Sequence, residues 1–152
     1  MYLMGHHDEP LWRRAATSTL HISLILKADL EELLQQETGL LLADNEALIN
    51  LELQPMRMSD IAEKLVLSRG GTTKVIDRLE ELGHVTRHPD PDDRRATLVE
   101  ITDSGRRARA DARTVVDRGL EEVWSQHISG EEAATIVEVM ERVLHASRGV
   151  KP

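Results

Sequence analysis

The stretch SDIAEKLVLSRGGTTKVIDRLEELGHVTRHPDPDDRRATLVEITDSG, from Ser59 to Gly105, decides the fold. Asp60-Ile61-Ala62-Glu63-Lys64-Leu65 has the apolar spacing of a short helix, with Ser59 as its expected N-cap. A second helical pattern runs from Ser68 to Leu82 and stops at Gly83. Val85–His88 and Thr97–Ile101 then read as two short strands around the turn Asp90-Pro91-Asp92-Asp93-Arg94-Arg95. Helix, turn, helix and a hairpin with an arginine-bearing tip make a winged helix-turn-helix, mainly α with a small β hairpin.

Helical patterns flank this unit on both sides. Pro10 to about Gln36 carries Leu11, Ala15, Ile22, Ile25, Leu26, Leu30, Leu33 and Leu34 in a broad stripe, with Asp8 as the expected cap and Gly39 beyond its end. Asp44 is the expected cap of a short helix bearing Ala47, Leu48 and Leu51, which Pro55 ends. Thr102 is the expected cap of a helix reaching about Ser125. Ser129 and Glu132 have capping-box spacing before a last helix, whose stripe is Ile136, Val137, Met140, Val143 and Leu144. The whole chain, 1–152, reads as one domain: a 44–102 winged lobe between terminal helices at 10–36 and 103–146. Those terminal stripes exceed what one copy can cover, so a homodimer through them is expected.

Composition narrows the chemistry. With 2 % aromatic residues and no Phe, the core must be aliphatic, which suits helices packed on helices. There is no Cys, so neither disulfides nor a thiol-based peroxide sensor is available. No apolar run is long enough to span a bilayer and the first ten residues lack a signal-peptide layout, so a cytoplasmic protein without membrane contact is expected. Net charge is −8, but it is unevenly spread. Arg69 to Arg113 holds ten Lys and Arg against nine Asp and Glu, and the remainder nine against eighteen. That distribution suits contact with a polyanion through one face only.

The second helix of the winged unit places Thr72, Val75, Ile76, Leu79 and Leu82 inward, at 100° per residue. Gly70, Thr73, Lys74 and Asp77 fall outward, with Arg69 and Arg78 on the margins. Small residues and free N–H groups at the helix start favour approach to phosphates, and hydroxyl and cationic groups suit phosphates and base edges. Two adjacent glycines cost about 1 kcal/mol each against Ala. Close packing of Gly71 on the preceding helix and close approach of Gly70 to DNA are the expected reasons. In the wing, Asp93 is expected to pair with Arg95 and aim its guanidinium toward a minor groove.

Six short motifs, in order, carry a family resemblance. They are Asp60-Ile61-Ala62; Ser68-Arg69; Thr73-Lys74-Val75-Ile76-Asp77-Arg78-Leu79-Glu80; Gly83-His84-Val85-Thr86-Arg87; Asp90-Pro91-Asp92-Asp93-Arg94-Arg95; and Ile101-Thr102-Asp103-Ser104-Gly105. At these residues the chain resembles the MarR (multiple antibiotic resistance) family of bacterial transcription regulators. The resemblance implies a homodimer on a pseudo-palindromic double-stranded DNA operator, with Ser68, Gly70, Thr73 and Lys74 in or near the major groove. It implies Arg78 and Arg94 nearer phosphates, and Asp93 and Arg95 as the wing's paired acid and minor-groove arginine. Gly70-Gly71 and Thr72 depart from the usual Ser/Thr-containing pair and the usual Val or Ile, which bears on base specificity rather than on docking.

Many relatives release DNA when a small molecule, often an aromatic acid, enters a crevice beside the dimerisation helices. No residue of this chain singles out such an effector; Tyr2, Trp12, Trp124 and the histidines are scattered. His6-His7 are an adjacent pair near the chain's end, His21, His84, His88, His127 and His145 have no partner at helical metal-ligand spacing, and no metal or cofactor is expected. The expected function is a ligand-released repressor. The alternative is a winged-helix module that binds protein without specific DNA binding. An enzyme is not expected, since no nucleophile–base cluster or phosphate loop is present.

Overall fold

The computed structural model describes residues 9–93 and 95–149. The readings placed on Tyr2, His6-His7, Asp8 and Arg94 lie outside them. Among the described residues, six helices and three short strands follow one another, in two compact units that meet in sequence at Val116 and Asp117.

In the first unit, α1 (Leu11–Thr38) ends at Gly39, whose φ of 74° is the left-handed conformation that glycine accepts without strain. Pro10, not an acidic side chain, stands at the N-cap of α1 and offers no side-chain cap bond. Helix α2 (Leu42–Leu51) has Leu41 at its N-cap and so begins three residues earlier than a cap at Asp44 requires. Asp44 lies instead in its first turn and accepts the Leu41 N–H at 2.8 Å. Likewise α3 (Met58–Leu65) takes in Ser59, and Arg57 holds the N-cap position.

Strand β1 (Met56–Arg57) is an element beyond the two-strand hairpin expected from the sequence. It pairs antiparallel with β3 (Thr97–Ile101), which also pairs with β2 (Val85–Pro89), in the order β1-β3-β2. Two residues between Pro55 and a helix are too short to show a period of two. The register puts Met56 opposite Val99 and Arg57 opposite Leu98.

Helix α4 (Arg69–Glu81) starts where its cap predicts: the Ser68 hydroxyl accepts the Gly71 N–H at 3.1 Å. Thr72, Ile76 and Leu79 are buried and Val75 is half-buried, whereas Leu82 is exposed. The buried threonine is satisfied by its own helix, donating to the Ser68 carbonyl at 3.1 Å. The core joins Leu34 and Leu40 to Leu48, Leu51, Ile61, Leu65, Ile76, Leu79, Val85, Val99, Ile101, Ala112 and Val115. It is wholly aliphatic, as a chain without Phe requires.

The turn between α3 and α4 is made by Val66 at φ 53° and ψ 39°. A β-branched residue in the left-handed region carries strain of about 1–2 kcal/mol. Its side chain is 90 % exposed, so packing offers no compensation. Val66→Gly is expected to raise stability by about 0.5–1 kcal/mol, read as a higher urea midpoint at unchanged slope. A lower midpoint would contradict this reading.

Helix α5 (Asp103–Trp124) is capped by Thr102, whose hydroxyl accepts the Gly105 N–H at 3.0 Å and donates to the Gly83 carbonyl at 2.7 Å. The second unit holds the rest of α5 from Asp117 and α6 (Gly130–Gly149). The expected capping box forms there. Glu132 accepts the Ser129 N–H at 2.8 Å, and Ser129 accepts the Glu132 N–H at 3.3 Å. The Ser129 N–H, and then the Ser129 hydroxyl donating at 2.9 Å, hold the Glu132 carboxyl below its usual range. Val137, Val139, Met140, Val143 and Leu144 of α6 are exposed, and so are Leu11, Trp12, Leu20, Leu24 and Ile25 of α1 in the first unit.

Candidate nucleic-acid interface

The first two turns of α4 form an exposed, sterically open edge. Arg69, Gly70, Thr73 and Lys74 are all exposed, and a Cβ built on Gly70 meets nothing within 4 Å. Gly71 is not wedged against α3 as expected. A Cβ there would make ordinary contacts of 3.4 Å with Ser68 Oγ and 3.6 Å with Leu67 Cβ. Thr73 donates its hydroxyl to the Arg69 carbonyl at 2.9 Å, leaving the oxygen lone pairs outward as acceptors.

Two acidic groups farther along α4, Asp77 and Glu80, are paired from β2. Arg87 donates to Asp77 at 2.7 Å and to Glu80 at 2.6 Å. The single guanidinium balances one of the two carboxylate charges and so lessens their repulsion of a phosphate beside Arg69 and Lys74. It also ties the strand to the helix.

Arg78 is engaged internally, which differs from the phosphate contact the resemblance implies. Its Nε lies 3.2 Å from Asp44 Oδ2, and an Nη donates to the Gly39 carbonyl. The arginine therefore locks α4 to the corner between α1 and α2. Asp44 is fully buried, and its Oδ1 has no hydrogen-bond partner. Burial pushes its carboxyl above the usual range, against the Leu41 N–H and Arg78, which pull it down. The same corner includes His84, whose imidazole burial holds below its usual value; its Nδ1 sits 3.2 Å from Ser104 Oγ.

A carboxyl raised on folding stabilises the fold most fully below its unfolded value, near 3.8, and loses that contribution as pH rises through the folded value. Asp44→Asn removes this titration. The melting temperature of the wild type minus that of Asp44→Asn is therefore expected to grow as pH falls from neutral toward 4. A difference that shrinks over that window would contradict the assignment.

The wing tip is built from two aspartate turns. Asp90 Oδ1 accepts the Asp92 N–H at 2.9 Å, and Asp93 Oδ1 accepts the Arg95 N–H at 3.0 Å. Asp93 and Arg95 are thus joined through the main-chain amide, where a pairing with the guanidinium was expected. The Arg95 side chain is exposed.

Two sets of pairings in this arrangement, those of Arg57 and Arg87, are not visible in the sequence. Arg57 donates to Asp90 at 2.6 Å across a separation of 33 residues. Arg87 was part of a motif, but its two acidic partners were not anticipated. The one signal for Arg57 was a cation placed between two methionines, Met56 and Met58.

Residues 51–97 match the MarR family model, which covers the winged lobe from the end of α2 to the start of β3. An HTH-type transcriptional regulator, BilQ, of Clostridioides difficile is 26 % identical over 94 residues, covering 62 % of this chain and 60 % of that protein. The match thus spans about three fifths of that curated relative. Among solved structures, Sco3205 from Streptomyces coelicolor, a MarR family transcriptional regulator in complex with DNA, superposes with a TM-score of 0.80 at 22 % identity. That match covers 96 % of this chain and 94 % of Sco3205. CouR from Rhodococcus jostii RHA1, bound to p-coumaroyl-CoA, gives 0.75 at 25 % identity, with 91 % and 94 % covered. The matched segment falls on the winged lobe, and the fold is shared over nearly the full length of these solved MarR family regulators.

Proposed function

We propose that the protein is a homodimeric, sequence-specific DNA-binding transcription regulator, a repressor released from a pseudo-palindromic operator by a small-molecule effector. The observation that carries this reading is the exposed, open start of α4 beside a wing presenting Arg95 on the same compact unit. Ser68, Arg69, Gly70, Thr73 and Lys74 face the major groove in this reading, and Arg95 enters the adjoining minor groove. Arg78 and Asp93 act indirectly, the first holding α4 and the second folding the wing tip.

Dimer formation is supported by the exposed apolar residues of α1 and α6, which one copy leaves uncovered. A two-fold assembly would set two α4 helices on half-sites about one helical turn, ~10 base pairs, apart. The likeness to CouR supports a small-molecule effector, and that protein's ligand is an aromatic acyl thioester. No helix among the described residues is long and apolar enough to cross a membrane, which agrees with a regulator working beside its DNA in the cytoplasm.

Salt dependence tests the reading. Binding to fragments of its own upstream region should weaken by about three orders of magnitude or more between 50 and 200 mM salt, if six or more phosphates are contacted. A folded protein that shifts no fragment at low salt would instead favour the protein-binding module, which the net charge of −8 suits.

A further inference from the structure

We propose that Arg57 and Asp90 form a positioning pair that aims the wing arginine. The proposal rests on the DNA-binding reading above.

Asp90 is one of two carboxylates buried among the described residues, its side chain only 4 % exposed. It sits where β2 gives way to the wing. One of its oxygens receives Arg57 Nε and the other receives the Asp92 N–H. Its own N–H donates to the Ala96 carbonyl at 3.1 Å and closes the neck of the wing. Ala96 in turn donates to the Asp93 carbonyl at 2.8 Å, and Asp93 holds the Arg95 amide. A continuous set of hydrogen bonds therefore runs from Arg57 to the main chain of Arg95.

The other end of this path is the helix-turn-helix. Arg57 holds the N-cap position of α3, which packs on α4. The pair therefore fixes the direction of the wing relative to the helix that reads the groove, which the β2–β3 ladder alone does not do at the tip. Solvent screens the Arg57 end of the pair, which is 42 % exposed, and Asp90 keeps the Asp92 N–H when Arg57 is replaced. Its effect falls on aim, and an arginine misplaced by an ångström or two leaves a narrow minor groove.

The test uses full-length protein and the duplex footprinted with wild type, synthesised with either A·T-only or G·C-only flanks. Arg57→Gln should lose about tenfold in affinity on A·T flanks and less than about twofold on G·C flanks. The salt slope should stay that of the wild type, because Arg57 touches no phosphate. Arg57→Lys should recover part of the loss. Adding Arg57→Gln to Arg95→Ala should change nothing further. Asp90→Asn, which keeps the acceptor for the Asp92 N–H, should reproduce the Arg57→Gln flank effect and guards against a folding artefact. Wild-type flank preference in Arg57→Gln would overturn the proposal, and so would a salt slope reduced by about one, the mark of a direct phosphate contact. Failure of the wild type to bind either duplex would remove the DNA-binding reading itself, and the positioning role with it.

Discussion

Arg95→Ala is expected to weaken operator binding by about ten- to one hundredfold on A·T-rich flanks, the loss of about 1–3 kcal/mol that follows removal of a groove-inserted arginine. Arg95 projects from a tip whose backbone is fixed on both sides, by the Asp93 carboxylate and by the Asp93–Ala96 main-chain bond. Little ordering then remains to be done when it enters a groove, so its interaction is not eroded by the entropy of a floppy loop. The effect should shrink on G·C-rich flanks, whose wider minor groove has a weaker negative potential. Fluorescence anisotropy with the two flank sets reads it. Equal losses on both would make Arg95 a plain phosphate contact. Lys74→Ala, by contrast, should lose affinity mainly through the central major-groove positions.

Gly105→Ala, in the first turn of α5, is expected to be a strongly damaging conservative change. A Cβ at Gly105 would stand 2.1 Å from the His84 carbonyl oxygen and 2.8 Å from Ile101 Cγ1. The first neighbour is backbone and is already engaged, accepting the Thr102 N–H at 3.0 Å. Neither α5 nor the turn after α4 yields without breaking the Thr102 cap, which bonds both Gly83 and Gly105. The expected cost is about 1–3 kcal/mol or more, as for other overpacked sites, and a melting temperature lower by several degrees. Denaturation that leaves Gly105→Ala within about 0.5 kcal/mol of wild type would show that the close approach is not structural.

The contrast between these two sites explains what could be read from the sequence alone. Ser68, Thr102 and the Ser129–Glu132 pair form caps within three residues, and local chemistry is visible in local sequence. The winged order and the aliphatic core follow from periodicity and from the absence of Phe. Non-local pairings were not legible. Arg57 with Asp90 and Arg78 with Asp44 are 33 and 34 residues apart, and no periodicity links them. Helical-wheel reasoning put Arg78 on the margin of α4, where an arginine can turn toward solvent or toward a buried acid. Asp44 decided the matter, and its burial depends on how α2 seats against α4. Val66 is a further case. Turn chemistry favours glycine at a left-handed position, and valine there gives no warning in the sequence.

The exposed stripes of α1 and α6 mark the boundary of what one copy explains. Their residues follow the periods expected for buried faces, yet only Leu30 and Leu34 of α1 are buried. A second copy is the simplest cover for them. Dimerisation would also convert one open α4 edge into two, with an operator symmetry to match.

Hydroxyl-radical footprinting of wild-type protein on its own upstream region tests the central claim most directly. Two protected half-sites about ten base pairs apart are expected, each with an outer minor-groove protection that disappears in Arg95→Ala while the inner protection persists. A folded dimer giving no footprint at low salt, or one whose protections all fade together in Arg95→Ala, would contradict the assignment of α4 to the major groove and the wing to the minor groove.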